Sequence, residues 1–156
     1  MIYQQGLDTK LASFQEKAPR WSEWDEGHNS VCRFVATVNE RVVGWIALSP
    51  VSKREVYKGV AELSVYVNTQ FSGQGIGSIL MTTLLVEAKR EGFWTKQSSV
   101  FPENKGSLSL HMKHGFRKVG VREKIGQLNG IWRDTILLEK RFPSQHHDNV
   151  KHFTNM

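Results

Sequence analysis

The stretch Gln70 to Gly92, QFSGQGIGSILMTTLLVEAKREG, places Gly73, Gly75 and Gly77 directly before a segment with helical periodicity. Glycine adopts positive φ angles and has no Cβ, so its backbone can closely approach a ligand. The N–H groups of a first helical turn are unpaired and carry the positive end of the helix dipole. The pattern therefore predicts a phosphate or pyrophosphate site, and the alternative is a tight turn that only happens to contain glycine.

Two familiar nucleotide-binding motifs do not fit these glycines. A dinucleotide motif, G-x-G-x-x-G, would need glycine at Ser78 if it began at Gly73 and at Leu80 if it began at Gly75. A P-loop needs lysine after its last glycine, whereas Ser78 follows Gly77. The sequence excludes both motifs and leaves the kind of phosphate ligand open.

The elements that must position this loop follow from hydrophobic periodicity. Helices are predicted from Tyr3 to about Lys17, from a cap at Ser22 through Glu26, from the glycines to Gly92, and in PENKGSLSLHMKHG up to Gly115. Strands are predicted in CRFVATV, RVVGWIALSP, AELSVYV, FWTKQSSVF, FRKVGVREKIGQ and IWRDTILLEKRF, with hairpins at Asn39-Glu40 and at LNG. The order α, α, β, β, β, α, β, α, β, β indicates a mixed sheet with helices on its faces.

The AELSVYV strand alternates in side-chain character, which predicts two distinct faces. One face would carry the apolar side chains and the other the polar ones. The first set is Leu63, Val65 and Val67, and the second is Glu62, Ser64 and Tyr66.

Composition limits the class of protein. A length of 156 residues suits one domain, and 39% hydrophobic with 23% charged residues argues against a disordered or fibrous chain. The net charge of +6 fits nucleic acid, an anionic membrane surface or a phosphorylated small molecule. The longest apolar run, Val42 to Leu48, is far below the roughly 20 residues of a membrane-spanning helix. With no signal peptide pattern at the N-terminus, we expect a cytoplasmic protein.

The C-terminal tail and the single cysteine are not predicted to take part in catalysis or metal binding. We expect one domain over residues 1–142 and a polar, flexible tail over residues 143–156. His146, His147 and His152 in the tail lack the acidic or cysteine partners of a metal site, so we predict no metal. Cys32 is the only cysteine and lies in an apolar run, which indicates a buried thiol and excludes a disulfide within the chain.

The run VAELSVYVNTQFSGQGIGSILMTTLLVEAKREGF followed by FPENKGSLSLHMKHGFRKVG resembles the GNAT superfamily of N-acetyltransferases, and in particular its phosphinothricin (L-amino acid) N-acetyltransferase branch. The family's pyrophosphate loop, Arg/Gln-x-x-Gly-x-Gly/Ala, is matched from Ser72 to Gly77, with Ser72 in place of the usual long polar side chain. IYQQGL, VVGWIALSP and GQLNGIWRD extend the likeness over Ile2 to Phe142. Family chains usually begin with a strand before the first helix, so we expect that strand to be absent or truncated here.

The resemblance implies a fold and an activity. The fold would be α/β (α+β), with a mixed, mostly antiparallel central sheet and helices on both faces. The activity would be transfer of acetyl from acetyl-CoA to the amino group of a small amino acid or analogue, such as phosphinothricin or methionine sulfoximine. It further implies a homodimer that uses no metal and binds neither nucleic acid nor membrane.

The resemblance also implies roles for particular residues. An amine must lose its proton before it attacks, and Glu62 would be the general base, through water. His111 would lie near the coenzyme sulfur and protonate the leaving thiolate. Residues implied to contact the coenzyme are Val65, Tyr66 and Val67 through main-chain amides, the loop residues Gly73, Gln74, Gly75, Ile76, Gly77 and Ser78, and Asn104 and Ser107. On the substrate side we predict Arg54 as a cation for a carboxylate, with Tyr57 and Ser64 lining the pocket.

Structural explanations of the same residues stay open. Glu62 fits a surface carboxylate, His111 a helix-packing histidine, and Asn104 a plain helix cap. Two other functions also remain: a member of the family that binds the coenzyme without catalysis, and a basic module that binds nucleic acid. The second is disfavoured because the basic residues are scattered and show no recognition motif.

Overall fold

The computed structural model describes residues 2–142 and confirms the predicted order of helices and strands. The elements are α1 Ile2–Asp8, α2 Trp21–Gly27, β1 Phe34–Val38, β2 Arg41–Pro50, β3 Val60–Val67, α3 Ile76–Arg90, β4 Thr95–Val100, α4 Lys105–Lys113, β5 Arg117–Leu128 and β6 Ile131–Arg141. Single turns of 3₁₀ helix cover Glu55–Tyr57 and Thr69–Phe71. The predicted tail at 143–156, with His146, His147 and His152, lies outside the described residues.

Both predicted hairpins form, and each turn has the backbone that its residues favour. Asn39 and Glu40 have φ angles of 48° and 67°, and Asn129 and Gly130 have φ angles of 53° and 75°. Paired positive φ angles in a two-residue loop match the right-handed twist of the flanking strands. The Asn129-Gly130 turn is therefore the tight link between β5 and β6.

The sheet has the strand order β1-β2-β3-β4-β6-β5, and only β3 and β4 run parallel. Their pairing is confined to Val60–Glu62 against Thr95–Gln97, although β3 continues to Val67 and β4 to Val100. The two strands therefore separate beyond Glu62 and leave an open wedge in the sheet. This is the mixed, mostly antiparallel sheet that the sequence predicted.

Helices cover both faces of the sheet, as the order of elements predicted, and the two faces of β3 carry the side chains that its alternation predicted. On the Leu63 face, α3 contributes its buried side chains to the core: Leu80, Met81, Leu84 and Ala88. On the opposite face, the Tyr66 ring stacks on Trp45 with 5.0 Å between ring centroids. A Cβ at Gly6 of α1 would lie 2.5 Å from the Tyr66 ring, so glycine allows α1 to sit directly on that face.

The first helix is shorter than the sequence indicated. The prediction of a helix to about Lys17 is wrong, because α1 ends at Asp8. The Thr9 hydroxyl donates to the Gly6 carbonyl over 2.6 Å and Lys10 adopts a φ of 61°, which turns the chain out of the helix. The residues after this turn form a loop, in which the Phe14 ring packs against Phe101 at 4.9 Å while Leu11 is exposed.

Two local predictions around α2 and β1 have different outcomes. The cap at Ser22 is wrong: α2 begins at Trp21 with Arg20 as N-cap and without a side-chain capping hydrogen bond. Cys32 is buried at 3% exposure, as predicted, but it has a φ of 57° and lies before β1, which begins at Phe34. Because Cys32 has left-handed backbone geometry, β1 begins at Phe34 and not at Cys32 as predicted.

Lys96 on β4 is buried at 0% exposure, and its Nζ has no hydrogen-bond partner among the described residues. The ammonium lies 3.7 Å from the Phe142 ring centroid. Burial, with a smaller contribution from the charge of Lys140, lowers the pKa of Lys96 from 10.5 to about 8. A lowered cation pKa destabilises the folded state below pH 8, and the cost fades as pH rises toward 10.5 because the folded state then loses the proton first.

We expect Lys96→Met to stabilise the fold at pH 7 by about 1 kcal/mol, since roughly 3 kcal/mol of desolvation is partly offset by a cation–π contact of about 2 kcal/mol. The gain should shrink as pH rises above 8. Urea unfolding at pH 7 and pH 10 measures it, with exposed Lys53→Met as the matched control. Destabilisation at pH 7 would show that the buried ammonium is a net contributor to stability.

Candidate active site

The wedge between β3 and β4 opens into a cleft of about 1010 Å³. The glycine loop lines one end and Glu62 lines the other. The walls come from α1 and the loop after it, the end of α2, strands β3, β4 and β5, and helix α4. Their cleft-lining members include Tyr3, Phe14, His28, Ser64, Val65, Ser98, His111, Lys113, Arg122 and Ile125. One cavity thus contacts the predicted anion loop and the predicted base.

The loop before α3 has the backbone of an anion site. Gly73 and Gly75 have φ angles of 77° and 81°, and a Cβ at either position would meet nothing within 4 Å. The first helical hydrogen bond runs from the Ile79 N–H to the Gly75 carbonyl over 3.1 Å. The consecutive N–H groups of residues 73–78 therefore have no acceptor within the described chain. Together with the helix dipole they form a cradle that fits a diphosphate.

Gly77 and Ser78 also join this loop to α4. A Cβ at Gly77 would approach Leu110 Cδ2 to 3.2 Å, so glycine there allows close helix packing. The Ser78 hydroxyl lies 2.8 Å from Nε2 of His114. The Ser72 hydroxyl donates to the Thr69 carbonyl over 2.9 Å and is turned into its own loop. The hydroxyls of Ser72 and Ser78 are thus engaged within the protein, whereas the loop amides are available to a ligand.

Glu62 stands at the point where β3 and β4 separate. It pairs with Ser49 of β2 on one side and with Gln97 of β4 on the other, and its side chain is partly buried in the cleft. Burial raises the pKa of the Glu62 carboxyl above its ordinary value, and the positive charge of Arg122 opposes the shift. No side-chain hydrogen bond occupies this carboxylate in residues 2–142, so a water or an amine can reach it.

Val65, Tyr66 and Val67 lie beyond the fork and line the cleft. On one edge they pair with β2, and on the edge facing β4 they have no strand partner. Backbone groups along that edge are therefore free to hydrogen-bond an extended ligand, as a neighbouring strand would. The Tyr66 ring itself packs on Tyr3 and Trp45, so its contribution to the cleft is partly structural.

Asn104 and Ser107 lie at the N-terminal end of α4, at the edge of the cleft. Asn104 is the N-cap: its side-chain oxygen accepts from the Ser107 N–H over 3.2 Å. Its amide nitrogen donates to the Leu11 carbonyl over 3.1 Å, which ties the loop after α1 to α4. The capping role that the sequence left open is therefore real, and both residues also line the cleft.

His111 is buried at 2% exposure and lines the cleft. Nδ1 lies 2.7 Å from the Ser107 carbonyl and Nε2 lies 2.8 Å from the Ser98 hydroxyl. Burial lowers the pKa of His111, the charge of His114 lowers it further, and the Ser107 carbonyl opposes this. The ring is thus neutral near pH 7 and packs edge-on against Phe116 at 4.9 Å.

The predicted substrate residues separate into two places. Ser64 lines the cleft, whereas Arg54 and Tyr57 do not. The Arg54 guanidinium stacks over the Tyr57 ring at 5.5 Å, and both side chains are exposed. The geometry therefore does not support Arg54 and Tyr57 as pocket residues.

Sequence reasoning missed Arg122, which lines the cleft from β5 directly before a bulge. The β5–β6 register jumps from Arg122 opposite Thr135 to Gly126 opposite Arg133. Between them Lys124 adopts a φ of 48°, and its N–H donates to the Asp134 carboxylate over 2.8 Å. Bulges commonly redirect side chains beside active sites. No glycine lies between Arg122 and Gly126, so the bulge was not evident from the sequence.

The described residues contain no group of side chains arranged to hold a metal ion. No helix between residues 2 and 142 is long and apolar enough to cross a membrane.

The forked sheet, the amide cradle and the adjacent carboxylate define a site for an elongated, phosphate-bearing cosubstrate next to a base. The profile of the Acetyltransferase (GNAT) family matches residues 4–116, and the chain belongs to that family. It is an N-acetyltransferase of the GNAT type.

Several known acetyltransferases are similar to this chain. It is 30% identical over 146 residues to a phosphinothricin N-acetyltransferase of Alcaligenes faecalis, covering 89% of this chain and 74% of that one. A ribosomal-protein-alanine N-acetyltransferase structure from Brucella melitensis matches with a TM-score of 0.81, 28% identity and 90% coverage of both chains. A phosphinothricin acetyltransferase from Sinorhizobium meliloti in complex with acetyl-CoA shares the fold, with a TM-score of 0.81, 23% identity and coverage of 92% and 80%.

Proposed function

We propose that this protein acetylates the amino group of a small amino acid or analogue of the phosphinothricin and methionine sulfoximine type. Transfer from acetyl-CoA is direct, with Glu62 as the general base through water. One observation carries the proposal: a single cleft joins the unpartnered amides of residues 73–78 to the partly buried carboxylate of Glu62. The Alcaligenes faecalis relative, a phosphinothricin N-acetyltransferase, supports the substrate class.

Each step of the reaction has a residue that suits it. The loop residues Gly73, Gln74, Gly75, Ile76, Gly77 and Ser78 bind the diphosphate through their amides. The free edge of Val65, Tyr66 and Val67 aligns the pantetheine arm and polarises the thioester carbonyl. An α-amino group has a pKa of about 7.7–8.0, so Glu62 with its raised pKa can accept the proton through water. Asn104 and Ser107 hold α4 beside the coenzyme, and His111 supplies the proton for the thiolate.

The acceptor's carboxylate needs a cation in the cleft. Arg122 and Lys113 are the lysine and arginine side chains that line it within the described residues. Arg122 acts electrostatically on Glu62, whereas Lys113 follows His111 toward the coenzyme end at the close of α4. Arg122 offers two parallel donors for a carboxylate, and its charge next to the base also keeps Glu62 ionised.

We therefore expect Arg122→Ala to raise the KM for the amino acid about 10- to 100-fold, as loss of a charged hydrogen-bonding group does. The KM for acetyl-CoA should not change. Steady-state kinetics with each substrate varied in turn measure the difference, and Arg54→Ala is the matched control. If the KM for the amino acid rose in Arg54→Ala and stayed unchanged in Arg122→Ala, the acceptor carboxylate would instead bind at the loop of residues 54–57.

Release of free thiol from acetyl-CoA tests the proposed activity. The amine panel contains phosphinothricin, methionine sulfoximine, methionine sulfone, ordinary amino acids and an alanine-terminated peptide. We expect turnover with a free amino acid or analogue and little with the peptide. Coenzyme binding without turnover of any amine would establish a catalytically silent member, and a salt-dependent oligonucleotide shift would favour the nucleic-acid alternative.

The proposal includes the organisation of the protein. Residues 1–142 form one catalytic domain followed by a tail, in a homodimeric, cytoplasmic enzyme. The β5–β6 hairpin supports self-association, because its exposed apolar side chains are Val119, Val121, Ile125, Ile131 and Trp132. The measured molar mass in solution distinguishes a dimer from a monomer.

A further inference from the structure

Ser98 lies on β4 just beyond the fork, where it is 2% exposed and lines the cleft. Its hydroxyl oxygen is 2.8 Å from Nε2 of His111 and 3.3 Å from the Leu63 carbonyl across the fork. A hydroxyl has one hydrogen, so it can donate to only one of these two acceptors at a time. The direction of that hydrogen therefore depends on the state of His111.

The Ser107 carbonyl fixes the tautomer of His111. A carbonyl can only accept, so the nitrogen 2.7 Å from it, Nδ1, carries a hydrogen whether the ring is neutral or charged. In the neutral ring, Nε2 accepts from the Ser98 hydroxyl. In the imidazolium, Nε2–H donates to the Ser98 oxygen, and Ser98 turns its hydrogen to the Leu63 carbonyl. A proton on Nε2 thus switches Ser98 between two satisfied arrangements.

We propose that Ser98 is a hydroxyl relay that carries protons between His111 and the reacting atoms of the acetyl transfer. This role rests on the proposed function. Attack of the amine on the thioester gives a tetrahedral adduct with a protonated nitrogen and a negatively charged oxygen. Its N–H proton passes to the Ser98 oxygen while the Ser98 proton passes to Nε2 of His111.

The return path protonates the leaving group. The carbon–sulfur bond breaks with its electron pair on sulfur, the Ser98 proton passes to that sulfur, and the Nε2 proton returns to Ser98. One proton has then moved from nitrogen to sulfur, and both side chains have regained their starting state. The low pKa of the buried imidazolium makes it a sufficient acid for a thiolate whose thiol has a pKa of about 8.5.

A relay is required because His111 has no free ring nitrogen. Both are engaged by protein groups, and the ring is 2% exposed with Phe116 against its face. Ser98 is the group that contacts both Nε2 and the cleft. Without its hydroxyl, His111 is a packing histidine next to the site.

The test is kinetic, with Ser98→Ala and Ser98→Thr compared with the unchanged protein. Loss of an acid–base path costs about 10²-fold or more, so Ser98→Ala should lower kcat to that extent with both KM values retained. Ser98→Thr keeps the hydroxyl and should recover most of the rate, and exposed Ser22→Ala on α2 should change nothing. A kcat within twofold of the parent for Ser98→Ala, or equal losses for both Ser98 variants, would overturn the relay.

Long-range ¹⁵N NMR of His111 gives a second readout that needs no turnover. We expect the Nδ1–H tautomer at neutral pH, and a shift of the Nε2 resonance in Ser98→Ala because it loses its donor. An Nε2–H tautomer would overturn the relay even in an active enzyme. If the unchanged protein releases no thiol with any amine, the proposed function fails and the relay with it, whereas activity that Ser98→Ala leaves intact removes only the relay.

Discussion

Replacing Glu62 by glutamine is expected to lower kcat by about 10²-fold or more, with the Kd for acetyl-CoA unchanged. Glutamine keeps the shape of the side chain but cannot accept a proton from the attacking amine or its bridging water. In the proposed binding mode the coenzyme lies at the other end of the cleft, against the amides of residues 73–78, so its affinity should not respond. Thiol release measured at fixed time points gives kcat, and isothermal titration calorimetry gives the Kd for acetyl-CoA.

The pH dependence adds a second signature of Glu62. Its pKa lies above 4.5 because burial disfavours the carboxylate, so kcat/KM should fall as pH drops through that raised pKa. Arg122→Ala should move this acid limb to still higher pH, because it removes the charge that lowers the pKa. The exposed hairpin variant Glu40→Gln is the control. Unchanged turnover in Glu62→Gln would remove Glu62 from the mechanism.

Replacing Gly75 by valine is expected to raise the Kd for coenzyme A at least about 10-fold. A hydrogen bond to a charged group contributes about 1.5–3 kcal/mol, and a side chain at this position occupies the space that the diphosphate needs. Gly75 has a φ of 81°, where a β-branched residue is also strained, so part of the effect is loss of stability.

Gly92→Val separates the two contributions. Gly92 follows the other end of α3 with a φ of 86°, and a Cβ there also meets nothing within 4 Å, but it does not line the cleft. Both variants should lose a similar amount of thermal stability, and only Gly75→Val should lose coenzyme affinity. Equal Kd values for Gly75→Val and the unchanged protein would contradict the cradle.

Local signals in the sequence predicted much of this fold. Asn129-Gly130 specified its turn, alternation in β3 specified which side chains face α3, and Gly92 marked the end of that helix. Each of these features depends on residues that lie close together in the sequence. The apolar spacing from Tyr3 to Lys17 predicted too long a helix, because Leu7 is buried in α1 whereas Phe14 packs from a loop and Leu11 is exposed.

The features that the sequence did not predict depend on distant partners. The fork beyond Glu62 depends on where β3 and β4 stop pairing, and these two strands are separated in the sequence by α3. Arg122 lines the cleft beside a bulge in which the Lys124 N–H donates to Asp134 on the neighbouring strand. Ser98 gains its role only when α4 brings His111 against it. Glu62 and the glycine loop were predictable because both lie within one strand–loop–helix segment.

Binding of coenzyme A, followed by the amide chemical shifts of the ¹⁵N-labelled protein, tests the central claim most directly. Charge-assisted hydrogen bonds to a diphosphate deshield the donating amide protons. The account predicts the largest downfield shifts at residues 73–78, with smaller changes along 65–67 and none at Gly92. Unmoved resonances at 73–78, with the largest changes elsewhere, would contradict it.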